Sequence, residues 1–209
     1  VKQLTKGNWD VVDVKGFDES GSQLFFSSTQ SSPLSRNLSS VVMKTGAIKA
    51  ITSGAYVHNC NISADGSTVI DISSNTDNPR TVQLIEVKSG KSKLLLQATN
   101  PIANYATGEL SVFPITGKSG DQLYARMYKP AGFNSAKKYP VIVYWYGGPH
   151  AQLILNSWNG GAGDYWFQYL AERGYLVFSI DTRGSSNRGK AFEQAIFRKA
   201  GEAQMEDLL

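Results

Sequence analysis

VIVYWYGGPHAQ, residues 141–152, decides the fold: six β-forming residues run straight into two glycines, a proline and then polar side chains. An apolar run without alternation suits a strand covered on both faces, as in a parallel sheet. The Gly147-Gly148-Pro149 turn would then lie at the carboxyl end of that strand, where open α/β sheets place their ligands. Glycines turn the backbone without a Cβ clash, and proline fixes the exit. A turn with no chemistry fits the same residues, because Gly-Gly-Pro is ordinary punctuation.

The chain downstream continues in the same grammar. DYWFQYLAERG (164–174) has Asp164 as a candidate helix N-cap, apolar residues at helical spacing and a terminal Gly174. YLVFSIDTRG (175–184) reads as a second buried strand, and KAFEQAIFRKAGEAQMEDLL (190–209) as one or two helical stretches interrupted at Gly201. Upstream, SVFPI and QLYARMYKP form a predicted hairpin around TGKSGD, and a polar loop closed by Pro140 leads to the opening strand. Strand, helix, strand, helix is the start of an α/β domain.

The first hundred or so residues differ in kind. Eight short apolar or alternating runs, from WDVVDVKGF to KSKLLLQAT, are broken by Gly, Asp, Asn and Ser, which predicts an all-β region. DESGSQLFFSS (18–28) lies over SADGSTVIDISS (63–74), and MKTGAIKAIT (43–52) over VKSGKSKLLL (87–96). The offset is about 45 residues with four strands per unit, the size of one β-propeller blade. Two blades alone would leave open faces. A two-sheet sandwich with repeating hairpins fits the same pattern, and the residues alone leave both open.

Composition narrows the function classes. Of 209 residues 41% are hydrophobic and 18% charged, and the formal net charge of +4 forms no Lys/Arg run. That is enough apolar material for a sizeable core and no basic stripe for nucleic acid. No stretch approaches a membrane span, and the first residues do not read as an export leader. The chain starts without Met and ends in a helical pattern with no cap, so both ends read as cut. Cys60 reads as a small buried hydrophobe. His58 and His150 fall in different halves with no metal-ligand spacing, so packing or surface roles are expected for them. The glycines of Gly160-Gly161-Ala162-Gly163, and Gly117 with Gly120, complete no phosphate-binding motif. Gly184-Ser185-Ser186-Asn187-Arg188-Gly189 is one residue too long for a Gly-x-Ser-x-Gly nucleophile elbow. Asn37-Leu38-Ser39 and Asn61-Ile62-Ser63 match the glycosylation triplet, a pattern that recurs by chance.

Taken in order, GNWDV, FFSSTQSSPLSRNL, HNCNISADGSTVIDISSNTDNPRTVQL, KKYPVIVYWYGGPHAQ and the run from YLAERG to the end resemble the dipeptidyl peptidase IV branch of the prolyl oligopeptidase serine peptidases. The similarity covers essentially the whole chain. It implies a mixed β and α/β fold: residues 1–107 as the last two blades of a β-propeller, and 108–209 as the incomplete start of an α/β-hydrolase domain. It also implies that the Tyr146 hydroxyl stabilises the oxyanion, while Asp181, Arg183 and Gly184 shape a structural loop. The nucleophilic Ser and the Asp and His of the triad would lie beyond Leu209, and the glutamate pair that binds a substrate's amino terminus in an earlier blade.

The whole protein, on that resemblance, is a serine exopeptidase releasing dipeptides with Pro or Ala in the second position. It would need no cofactor or metal, bind no nucleic acid and form a homodimer. Its setting would be periplasmic, cell-surface or secreted, with any membrane anchor outside this chain. The 209-residue chain itself is expected to be inert. A non-catalytic propeller interaction protein with a degenerate α/β tail, or an acylaminoacyl-peptidase or esterase of the same superfamily, are the alternatives.

Overall fold

A computed structural model describes residues 2–209. Two compact units divide it: the chain up to Thr99 together with Asn156–Trp158, and Asn100–Leu155 together with Asn159–Leu209.

In the first unit all eight anticipated strands form. β1 (Val11–Phe17), β2 (Gln23–Ser28), β3 (Asn37–Val42) and β4 (Ile48–Ala50) make one antiparallel meander, and β5 (Val57–Ile62), β6 (Thr68–Ser74), β7 (Thr81–Glu86) and β8 (Ser92–Gln97) make another. The repeat seen in the sequence is a repeat of backbone. Gly21 and Gly66 take left-handed φ of 66° and 72° in one pair of equivalent turns, Gly46 and Gly90 take 77° and 71° in the other. Alternating apolar residues from both sheets meet in one cluster, Phe25, Leu38, Cys60, Val69, Ile85 and Val87. Each large side chain so buried contributes about 2 kcal/mol. The outward residues Val11, Val12, Val14 and Phe17 of β1 and Leu94, Leu95 and Leu96 of β8 are exposed, as two blades with open faces require.

Polar groups are buried in this unit as well. The Asp71 carboxylate on β6 accepts from His58 Nδ1 at 2.9 Å, Gln83 Nε2 at 2.9 Å and Cys60 Sγ at 3.4 Å. His58 is thus a packing histidine and Cys60 an enclosed thiol, its pKa pushed up by burial and then by Asp71. Asn37, first of the two glycosylation triplets, is buried and donates to Ser31 Oγ.

The second unit is a mixed sheet in the order β11-β12-β10-β9, built from β9 (Leu110–Thr116), β10 (Gln122–Tyr128), β11 (Val141–Tyr144) and β12 (Leu176–Asp181). β9 and β10 are the anticipated hairpin, and β11 runs parallel to β12. Helix α1 (Trp166–Glu172) connects the parallel pair; its N-cap is Tyr165, one residue after the expected Asp164, and makes no side-chain cap bond, while the Asp164 carboxylate accepts the Trp166 N–H at 2.9 Å in the turn before the helix. The chain then forms α2 (Lys190–Glu193) and α3 (Glu202–Leu208), parted near Gly201. Side chains alternate across the sheet. Tyr128 and Val177 pack with Phe167 and Ala171 of α1, whereas Leu123, Ala125 and Ile180 pack with Phe192 of α2 and Leu208 of α3. Helices therefore cover both faces, the α/β layering expected from the sequence.

The opening strand departs from expectation in two ways. Trp145 and Tyr146 have left the ladder, and β11 is an edge strand with Val141, Val143 and Tyr144 about half exposed. A strand with a ladder partner on one side only is not enclosed, whatever its apolar content suits.

Replacing Asp71 by Ala leaves two buried donors, His58 and Cys60, and the half-buried Gln83 amide without their acceptor, so a loss of about 3 kcal/mol is expected on urea unfolding. Burial pushes the Asp71 carboxyl up, but the His58 hydrogen bond and charge, followed by Gln83 and Cys60, outweigh it and hold the group below its ordinary value. Its contribution is therefore present above the ordinary carboxylate range and lost as pH falls through the lowered value.

Candidate active site

The segment that follows β11 is shaped by two aromatic rings resting on two glycines. Gly147 adopts φ 67°, and a Cβ there would sit 2.4 Å from Trp145 Cζ2. A Cβ on Gly148 would sit 2.6 Å from Tyr146 Cε1. Each ring thus folds back over the glycine two residues later, and a side chain at either position would have to displace it. The Trp145 indole N–H reaches Thr182 Oγ1 at 3.4 Å. Tyr146 is 61% exposed, and no group among the described residues bonds its hydroxyl. The phenol O–H is free to donate.

Three side chains hold the surrounding backbone. Asp181, at the end of β12, accepts the N–H groups of Leu153 and Ile154 at 2.8 and 3.0 Å. Burial drives its carboxyl up to about 6, against those two bonds and the nearby Arg126 and Arg188 charges, which lower it. Arg126 on β10 is buried and donates through Nη1 to the carbonyls of Leu153 and Gly160, both at 2.9 Å. Tyr128 donates to the Asn159 carbonyl at 2.6 Å. The loop therefore turns carbonyl oxygens toward a guanidinium, the reverse polarity of a phosphate cradle.

Arg183 and Gly184 behave as the structural loop formers expected of them. The Arg183 guanidinium and main-chain N–H both bind Asp207 of α3, with Nε–Oδ1 at 2.9 Å and N–Oδ2 at 2.7 Å. A further bond runs to Glu206 at 2.5 Å, and these two acceptors raise the Arg183 pKa further. The Gly184 N–H donates to the Phe192 carbonyl at 3.0 Å. His150, at the end of the turn, is exposed and pairs with Glu193 at 2.5 Å. His58 belongs to the first unit and has no part here.

Sequence reading missed Arg126, Tyr128, Asp207 and Gln204. The last is fully buried on α3 and donates through Nε2 to the Gly147 carbonyl at 2.7 Å. Nothing in their local patterns marks them, because their partners lie 24 to 57 residues away along the chain. What the assembled rim can do chemically is present a phenol donor on a backbone fixed from both flanks.

The folded pKa of Asp181 lies above its unfolded value, so its contribution to stability is full below about pH 4 and lost as pH rises through about 6. Urea midpoints between pH 4 and 7 should show that loss in the wild-type protein and a flatter profile in Asp181→Asn.

Comparison with known proteins places this geometry in context. Residues 1–80 match the family model for the dipeptidyl peptidase IV N-terminal region, and residues 163–209 that of the prolyl oligopeptidase family. Human dipeptidyl peptidase 8 is 33% identical over 98% of this chain and 24% of its own length. Dipeptidyl peptidase 4 of Trichophyton equinum is 28% identical over 98% of the chain and 27% of its own. A solved structure from Bacteroides ovatus has a TM-score of 0.91 at 39% identity, covering 99% of this chain and 29% of that one. Porphyromonas gingivalis dipeptidyl peptidase 4 has a TM-score of 0.88 at 26% identity, covering 100% and 29%. The chain thus spans about a quarter of the length of the curated relatives it matches.

Proposed function

Since the chain belongs to the dipeptidyl peptidase IV branch of the prolyl oligopeptidase family, we propose that the full-length protein is a serine exopeptidase that removes dipeptides from polypeptide amino termini. Proline or alanine in the second position is the preference assigned here. On this reading residues 1–107 contribute propeller blades and 108–209 the opening of the catalytic domain. The protein works as a homodimer without a cofactor.

The observation that carries the proposal is the placement of Tyr146. Its phenol is exposed at the carboxyl end of a strand whose parallel neighbour is β12, where α/β sheets put their ligands. When a serine attacks a peptide carbonyl, the oxygen gains a full negative charge, and a neutral O–H donor aimed at it lowers the barrier by roughly 3 kcal/mol. A phenol suits this task because it donates without ionising. The 209 residues contain no Gly-x-Ser-x-Gly. The nucleophile and its Asp and His partners are therefore assigned to sequence outside them, and Tyr146 to the oxyanion hole that serves them.

Tyr146→Phe in the full-length enzyme should lower kcat by roughly a hundredfold while KM changes little, because the donor acts in the transition state. An unchanged kcat would remove Tyr146 from the oxyanion role. Purified residues 1–209 should show no turnover of a proline-containing dipeptide chromogenic substrate above buffer; serine-dependent cleavage by that piece would sink the assignment of the nucleophile.

A further inference from the structure

Gln204 occupies an unusual position for a polar helix residue: it is fully buried, and both ends of its amide are committed. Its Oε1 accepts the Gly201 N–H at 2.8 Å at the start of α3. Its Nε2 donates to the Gly147 carbonyl at 2.7 Å. One partner can only donate and the other can only accept, so the amide has a single satisfied orientation. The bond lands on the residue immediately after Tyr146, whose left-handed φ of 67° sets the direction in which the turn leaves the strand. On the other side of the same turn, the Tyr146 ring lies against Gly148. The Gln204 bond thus holds the turn's backbone at the base of the phenol, while the ring itself lies exposed over Gly148.

We propose that Gln204 is a positioning residue for the Tyr146 phenol. It fixes the peptide plane between Gly147 and Gly148 and so aims the hydroxyl at the reacting carbonyl. This rests on the oxyanion reading of Tyr146. The anchor is itself held, because Arg183 pins α3 through Asp207, Glu206 and the Ala203 carbonyl.

The test is a double-mutant cycle in the full-length enzyme, reading kcat and KM on a proline-containing dipeptide chromogenic substrate for wild type, Gln204→Leu, Tyr146→Phe and the double variant. Gln204→Leu is expected to lower kcat on the order of tenfold to a hundredfold with KM little changed, since ~1 Å of misplacement can cost that much. In the Tyr146→Phe background the same change should cost nothing more, because the hydroxyl it aims is gone. Equal losses in both backgrounds, or no loss in either, overturn the positioning role. Should Tyr146→Phe alone leave kcat intact, the oxyanion reading falls first and takes this one with it, an outcome separable from the others.

Gln204→Glu supplies the rescue arm and covers the case in which the leucine variant does not fold. Its carboxyl keeps the acceptor for Gly201 and can donate to Gly147 only when protonated. Its kcat relative to wild type should therefore recover above the Gln204→Leu level, more so as pH falls. A ratio that stays flat at the Gln204→Leu level overturns the claim that the donated hydrogen bond matters.

Discussion

The ion pair between Arg183 and Asp207 is the constraint on which the turn after β11 and helix α3 in the second unit depend. The Asp207 side chain is fully enclosed and takes both a guanidinium fork and the Arg183 main-chain N–H. Helix α3 has only seven residues, too few to persist without tertiary support. Charge-assisted bonds of this bidentate kind combine strength with geometric specificity. They fix the rotation of α3 about its axis. That rotation buries Gln204 beneath the turn after β11 and sends Leu208 into the core beside Phe192 and Ile180.

The end of β12 consequently governs both flanks of the rim. Asp181 points to one face of the sheet and ties down Leu153 and Ile154, while Arg183, two residues on, ties down α3. Tyr146 sits between segments fixed from one strand terminus. Arg126 and Tyr128 extend the same logic from the next strand by holding the backbone around Gly160 and Asn159. Burying a guanidinium costs desolvation, and burial lowers the Arg126 pKa. Two carbonyls, the Phe167 ring at 5.2 Å and the neighbouring carboxylate of Asp181 offset only part of that cost.

Much of this architecture is written in local pattern. Period-two alternation and glycine turns mark β1 to β8, and the resemblance between 18–28 and 63–74 reappears as matching left-handed glycines. Gly174 ends α1 in a left-handed conformation as expected, whereas the N-cap falls on Tyr165, one residue past Asp164. The limits are equally physical. VIVYWY reads as one strand, yet the last two residues lie outside the ladder, their rings folded over Gly147 and Gly148. The residues after Gly201 read as a helical stretch, yet its buried groups include the polar Gln204 and the Asp207 side chain. Hydrophobic periodicity finds faces that bury carbon. It is blind to polar groups buried because a distant backbone atom needs a partner.

The stacking of Tyr146 on Gly148 ties the two positions into one unit of variation. Residue 148 is small because residue 146 is large and lies across it, so the space belongs to the pair. A library that samples position 148 alone explores only side chains that must displace the Tyr146 ring. One that samples 146 and 148 together can move bulk from the phenol to the turn, at the expense of the donor. Drift at position 148 is therefore gated by position 146, and a lineage that gave up the hydroxyl-bearing ring would be free to lose the second glycine afterwards.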